Sequence, residues 1–150
     1  MARLHGRSEG DGAMRGVLSA GLLLCVLVAA AAKAEEEELA RLELNATEAA
    51  DNRCRMTFLI ENKASRTIDS LKLDLAIFNP EGVIQRRMIV EMGPVRGKRT
   101  NVRTFSSDGE CSQLGAILVN DVSACAPGEP TACLDGLALS SRVKNVRLYK

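Results

Sequence analysis

The run Leu71-Lys72-Leu73-Asp74-Leu75-Ala76-Ile77-Phe78-Asn79-Pro80-Glu81-Gly82-Val83-Ile84 decides the fold. Leu71, Leu73, Leu75 and Ile77 recur at every second position with Lys72 and Asp74 between them. That is the period of a strand laying one face on a core and the other in water. Asn79-Pro80-Glu81-Gly82 supplies the residues of a type I turn: Asn first, Pro with its φ fixed at about −65° second, Gly fourth. The sequence therefore predicts a β-hairpin, with strands from about Ile68 to Phe78 and from Val83 to Met92. In the returning strand Ile84, Met88, Val90 and Met92 share a face. Arg86 interrupts it, which marks either a sheet edge or an arginine whose stem packs while its head reaches water.

The same period extends outward from the hairpin. Cys54, Met56, Phe58 and Ile60 alternate with polar residues and predict a strand, preceded by another over Leu39 to Thr47 and a turn at Ala49-Ala50-Asp51-Asn52. Asn62 to Thr67 is a polar connection. Asn101 to Phe105 reads as a further strand, followed by loop over Ser106 to Glu110. From Leu114 to Val122 both faces are apolar, Leu114, Ala116, Leu118 and Val122 on one and Ile117 and Val119 on the other, which predicts cover from both sides. Leu134 to Ser141 reads as a helical turn or irregular segment. Val143, Val146 and Leu148 close the chain as a strand, with Val143 out of phase through a bulge or a late start. Short strands at about ten-residue spacing, joined by Gly/Pro turns, describe an all-β domain, a small immunoglobulin-like β-sandwich of about seven strands. The chain contains no Trp, which separates it from antibody-type domains.

The first 34 residues have a different character. Met14-Arg15 open a basic region, residues 16–32 carry no charge, and Ala32-Lys33-Ala34 fits a small-x-small cleavage site. The expected organisation is a signal peptide over 1–34 and one domain over 35–150, in a bacterial protein placed in the periplasm or secreted. An uncleaved anchor is the alternative, and the apolar run stands at the short end of what spans a bilayer. Without Arg3, Arg7, Arg15 and Lys33 of the 20 basic residues and Glu9 and Asp11 of the 19 acidic ones, the remainder is near neutral. That balance argues against nucleic acid as a partner. The one histidine, His5, lies in the leader, so histidine chemistry is closed to the processed chain.

Four of the five cysteines, Cys54, Cys111, Cys125 and Cys133, lie beyond the leader. An even number in a short exported chain reads as disulfides. A four-thiolate zinc site is the alternative, against which stands the lack of any C-x-x-C pair. If consecutive strands run antiparallel, Cys54 opens its strand at the end of the domain where the Asn79-Pro80 turn also lies. Cys111 falls at that same end, while Cys125 and Cys133 fall together at the other. Pairs at opposite ends exceed the roughly 7 Å that a bridge tolerates between Cα atoms. The predicted bridges are Cys54 to Cys111 and Cys125 to Cys133.

Candidate sites are few. Gly93-Pro94-Val95-Arg96-Gly97-Lys98-Arg99 is a loop with three cations, and Arg103 follows on the next strand. Arg96, Lys98, Arg99 and Arg103 are the candidate partner-binding residues, set against the reading of the same charges as edge protection. Glu35-Glu36-Glu37-Glu38 reads as a solvated tail. Asn45-Ala46-Thr47 matches a glycosylation acceptor triplet. Asp51, Asp108, Glu110 and Asp121 are the carboxylates available to an acid-base or metal-dependent reaction, all at predicted loops or strand ends.

Ile60-Glu61-Asn62, the strand ending Phe78-Asn79-Pro80-Glu81-Gly82-Val83, then Gly93-Pro94-Val95-Arg96-Gly97 and Phe105 resemble in order the landmarks of FxLYD-type extracytoplasmic domains, over about half of the processed chain. Cys54-Arg55-Met56-Thr57-Phe58 with the late cysteines is similar to small exported proteins of alphaproteobacteria. The resemblance implies the fold and the compartment, and no chemistry. The expected function is thus a non-catalytic exported interaction module without cofactor or metal, engaging a periplasmic or envelope protein and touching membrane only through a retained leader. A small-ligand carrier and a carboxylate- or metal-dependent enzyme are the alternatives.

Overall fold

The computed structural model describes residues Glu38–Lys150; the predicted leader, its cleavage point and the first three glutamates of the acidic run lie outside the described residues. Eight strands form two four-stranded sheets. They are β1 (Ala40–Ala50), β2 (Arg53–Asn62), β3 (Ser70–Phe78), β4 (Ile84–Glu91), β5 (Thr100–Asp108), β6 (Ala116–Ala126), β7 (Leu137–Ser141) and β8 (Arg147–Tyr149). One sheet has the order β5-β2-β1-β7 and the other β4-β3-β6-β8. Inward residues of the two sheets make one core, with Leu42, Leu44, Met56, Phe58 and Ile60 from the first and Leu71, Leu73, Leu75 and Ile117 from the second. The fold is the predicted all-β sandwich. In β2, and in β3 up to Leu75, the alternation holds residue by residue, because each packs one face on the core; Ala76 of β3 is buried as well.

The hairpin of β3 and β4 is present. Gly82 donates its N–H to Asn79 O at 3.0 Å, and the Asn79 side chain accepts from Val83 N at 2.8 Å. β4 is an edge strand, as Arg86 suggested. Ile84 departs from expectation. The pairing passes from Arg86 opposite Ile77 to Ile84 opposite Phe78, so Gln85 is an extra residue that reverses the phase. Ile84 is consequently 53% exposed.

Four other boundaries move for identifiable reasons. β1 runs on to Ala50 and turns through Asp51 and Asn52 alone, at φ 49° and 59°. Both values suit a two-residue type I′ hairpin, which Asx residues tolerate. β5 continues through Ser106–Asp108 because Arg53, Cys54 and Arg55 of β2 lie opposite. In β6, Asn120 and Ser123 are bulged; the first brings Val122 onto the inner face with Ile117 and Val119, and Leu118 on the other face is half-buried rather than covered. The segment expected to be a helical turn or irregular instead holds the end of a short helix, α1 (Pro130–Asp135), and the strand β7, parallel to β1. Val143 precedes β8, so the final strand starts late.

Both predicted disulfides are formed, with Cα separations of 4.7 Å for Cys54–Cys111 and 6.5 Å for Cys125–Cys133. Strand directions place them at opposite ends of the sandwich, as the pairing required. Two bridges in a domain of this size fit an oxidising compartment. No helix among the described residues is long and apolar enough to cross a membrane.

Candidate functional site

The basic loop sits at the end of the sandwich where β2 leaves one sheet for β3 and β4 leaves the other for β5. Its organiser is Asn62, the last residue of β2, which is 1% exposed. Its amide Nδ2 donates to Arg66 O at 2.8 Å and Val95 O at 2.9 Å, and its Oδ1 accepts from Ala64 N at 2.9 Å. The backbone N–H of Asn62 donates to Arg99 O at 2.9 Å. One buried side chain and its own backbone therefore gather two segments that each carry arginine, the 62–67 connection and the 93–99 loop. Buried amides without such partners cost several kcal/mol, so the side chain specifies this one arrangement.

Close backbone contact reinforces it. Ile68 and Val95 exchange two hydrogen bonds, and Lys98 N donates to Ala64 O at 3.0 Å. A Cβ at Gly97 would stand 1.9 Å from Ser65 O, so only glycine permits the approach. Glu91 secures the entry to the loop, accepting from Leu71 N at 2.7 Å, Ser70 Oγ at 2.8 Å and Gly93 N at 2.9 Å. Burial pushes its carboxyl upward, but the two N–H groups and the hydroxyl outweigh it and hold the group below the usual carboxylate range.

The four candidate cations divide. Arg96 and Arg99 are exposed and have no acidic partner among the described residues. Lys98 is exposed, yet its ammonium donates to Lys63 O. Arg103 is a clamp: Nε donates to Met92 O at 3.1 Å and Nη2 to Gly93 O at 3.1 Å and Pro94 O at 3.2 Å. It ties β5 to the chain leaving β4. Sequence reading missed two members. Arg66, exposed and without an acidic partner among the described residues, joins the cluster through Asn62. Asn62 itself had been placed at the start of a polar connection, although it continues the inward phase of Cys54, Met56, Phe58 and Ile60, the one signal that marked it.

Three of the four candidate carboxylates, Asp51, Asp108 and Glu110, lie at the end of the sandwich opposite the basic loop, and Asp121 lies apart from them. Asp51 lies in the β1–β2 turn at the far end. Asp108, also there, pairs with Arg86 at 2.6 Å and Arg53 at 3.4 Å. Asp108 and Glu110 border a cavity of about 120 Å³ floored by Met56, Ile77 and Leu114. That volume is well below the ~300–1,000 Å³ of typical small-molecule sites. Asp121 is elsewhere, on β6 opposite Asp74, accepting from Val122 N. Asp74 is held low by its hydrogen bond to Arg87, with Asn120 adding a second donor. Among the described residues no three His, Cys, Asp or Glu side chains group as metal ligands do. Asn45, of the acceptor triplet, is half-buried at the β1 bulge and donates to Glu43 at 2.9 Å.

Compared with known proteins, the chain matches no family model, no curated protein and no solved structure.

Proposed function

We propose that this protein is an exported, non-catalytic β-sandwich module that engages an acidic periplasmic or envelope protein through its arginine-bearing end. The observation that carries the reading is the convergence of the Arg66, Val95 and Arg99 carbonyls on Asn62. It roots Arg66, Arg96 and Arg99 in one anchored backbone while leaving their guanidinium groups exposed. Cations on a preorganised frame lose little backbone entropy on binding and steer an acidic partner during encounter. Guanidinium forks also suit carboxylate pairs. The leader pattern, the two disulfides and the resemblance to FxLYD-type extracytoplasmic domains support the compartment. The engagement of Asp108 by Arg86 and Arg53, and the separation of Asp121 from it, support a binding role over carboxylate catalysis.

The test is covalent capture of neighbours in the native envelope by wild type and by the Arg96→Glu/Arg99→Glu double variant. Both residues are exposed, so the thermal midpoint should hold. Two reversed rim charges at ~0.7 kcal/mol each predict about a tenfold loss of the captured partner. Capture at wild-type yield by the double variant overturns the assignment.

A further inference from the structure

The outer face of the sheet β4-β3-β6-β8 is apolar at its centre and, among the described residues, uncovered. Apolar residues on both sides of β6 predict cover on both, and only the inner cover is present. Midway along the outer face Ala76 of β3, Leu118 of β6 and Tyr149 of β8 lie side by side. One outward row toward the Asn79-Pro80 turn stand Ile84, Phe78, Ala116 and Arg147; one row the other way stand Ile89, Asp74 and Asp121. Phe78, Leu118 and Tyr149 are half-buried, while Ile84 and Ile89 are 53% and 63% exposed. Each flanking row borders a shallow concavity, the first shared by Phe78, Ala116 and Arg147 and the second by Ile89, Asp74 and Asp121.

The two flanking rows complement each other. Each lies ~7 Å along the strands from the middle row, and each carries an isoleucine on β4. The first ends in the cation Arg147 and the second in the anion Asp121, neither of which has an ion-pair partner among the described residues. Asp74 adds no free charge, because Arg87 and Asn120 both donate to its carboxylate. We propose that this face pairs with the same face of a second copy of the chain, about a two-fold axis lying along the Ala76, Leu118 and Tyr149 row. Such an axis reverses the strands of the second copy and exchanges the flanking rows. Leu118 then meets Leu118, Ile84 meets Ile89, and Arg147 reaches Asp121 of the other copy one strand over, twice by symmetry. Arg87, at the β4 end of the middle row, faces its counterpart with its charge already matched by Asp74. Strands aligned in this way are an ordinary mode of sheet-on-sheet packing. Three rows on four strands make the face roughly 20 Å on a side, so the pair is reversible rather than obligate. The basic ends lie at the strand ends, outside the paired face, so the dimer presents two of them pointing in opposite directions.

Sedimentation equilibrium of the exported protein tests the pairing. A monomer–dimer equilibrium is expected at ~100 µM, and a wild type that stays monomeric there overturns the proposal. Leu118→Lys should weaken association by about tenfold or more, since it sets two ammonium groups in the centre of the face; an unchanged dimer also overturns it. Asp121→Arg and Arg147→Asp should each weaken self-association, because each sets like charges against one another twice. Mixed in equal amounts, these two variants should associate as strongly as wild type, because both ion pairs re-form across the mixed dimer. Within one chain the two positions lie two rows, about 13 Å, apart along the strands, so recovery reports a contact between copies. It also shows that both variants are folded. Single variants that dimerise at wild-type strength, or a mixture of folded variants that does not recover, overturn the two-fold arrangement.

Discussion

Replacing Asn62 by alanine removes three hydrogen bonds at once, those to Arg66 O, Val95 O and Ala64 N. Each contributes a net ~1 kcal/mol. The groups left behind are not equally hurt. Val95 O keeps the bond from Ile68 N, and the backbone around Arg66 is near enough to water to be rehydrated. The expected loss is therefore about 2–3 kcal/mol, without a further penalty for a stranded buried group. In urea, followed by far-ultraviolet circular dichroism, that corresponds to a midpoint lowered by about 1–2 M at a typical slope. Amide exchange should accelerate at Ala64 and Lys98 while the β2 and β3 centres stay protected. Asn62→Asp sharpens the test at nearly constant volume, because it sets an oxygen against the two carbonyls that now receive Nδ2–H. Burial and those carbonyls favour the protonated carboxyl, raising its folded pKa above the unfolded value. The folded state then binds more protons than the unfolded, so this variant should lose stability as pH rises through the ordinary carboxylate range and above. A midpoint within about 0.3 M of wild type for Asn62→Ala, or a pH-independent Asn62→Asp, would refute Asn62 as the organiser of the basic end.

Three further expectations follow from the same description. Replacing both cysteines of Cys54–Cys111, which closes a 57-residue separation, should cost about 4 kcal/mol on the chain-entropy account, against about 2.5 kcal/mol for Cys125–Cys133 with a separation of 8; urea unfolding of the two double-serine variants checks the order, and a reversed order contradicts it. Glu91, with its folded pKa lowered by Leu71 N–H, Ser70 and Gly93 N–H, contributes stability that is present above the ordinary carboxylate range and lost as pH falls through the folded value; Glu91→Gln should flatten that acid limb, and an unchanged acid limb would show that the contacts are not made in solution. Mass spectrometry of the exported protein should find Glu35 first, and a cell-bound product retaining residues 16–32 would instead show an anchor.

The parts of the fold legible in the sequence are those where the strand carries no extra residue of its own. β2 and β3 satisfy this, since the bulges opposite them lie in β1, β4 and β6; the Asn79-Pro80-Glu81-Gly82 turn was legible from its residue types, and the disulfide pairing needed only the strand directions. Where the alternation breaks, local pattern misleads. The bulge at Asn120 brings Val119 and Val122 to the same face although they lie an odd number of residues apart, and Gln85 does the reverse to Ile84. β7 was hidden because its partner β1 lies at the other end of the chain, and nothing within Leu137–Ser141 announces a parallel neighbour. The basic end was visible as charge, not as construction. Composition cannot distinguish Arg103, spent on three carbonyls, from Arg96 and Arg99, which face water. Arg66 joins the cluster only through the bond its carbonyl accepts from Asn62, a contact between side chain and backbone that residue types do not announce.

The two parallel pairings at the C-terminal end, β7 on β1 and β8 on β6, bear on how the protein is made. Each sheet gains an edge strand from within residues 137–149, so an emerging chain has bare flanks on β1 and β6 until those residues have arrived. Until then, the unfilled N–H and C=O rows of those strands are open to pairing with a neighbouring chain. Contacts joining opposite ends of a chain also form slowly. In the exported chain proposed above, Cys54 would have time to meet Cys111 while β7 and β8 are still arriving. A chain cut before Leu137 would keep both disulfides and most of its core, yet bare Ala40–Leu44 of β1 and Ala116–Leu118 of β6, making it a source of aggregates rather than of a smaller domain.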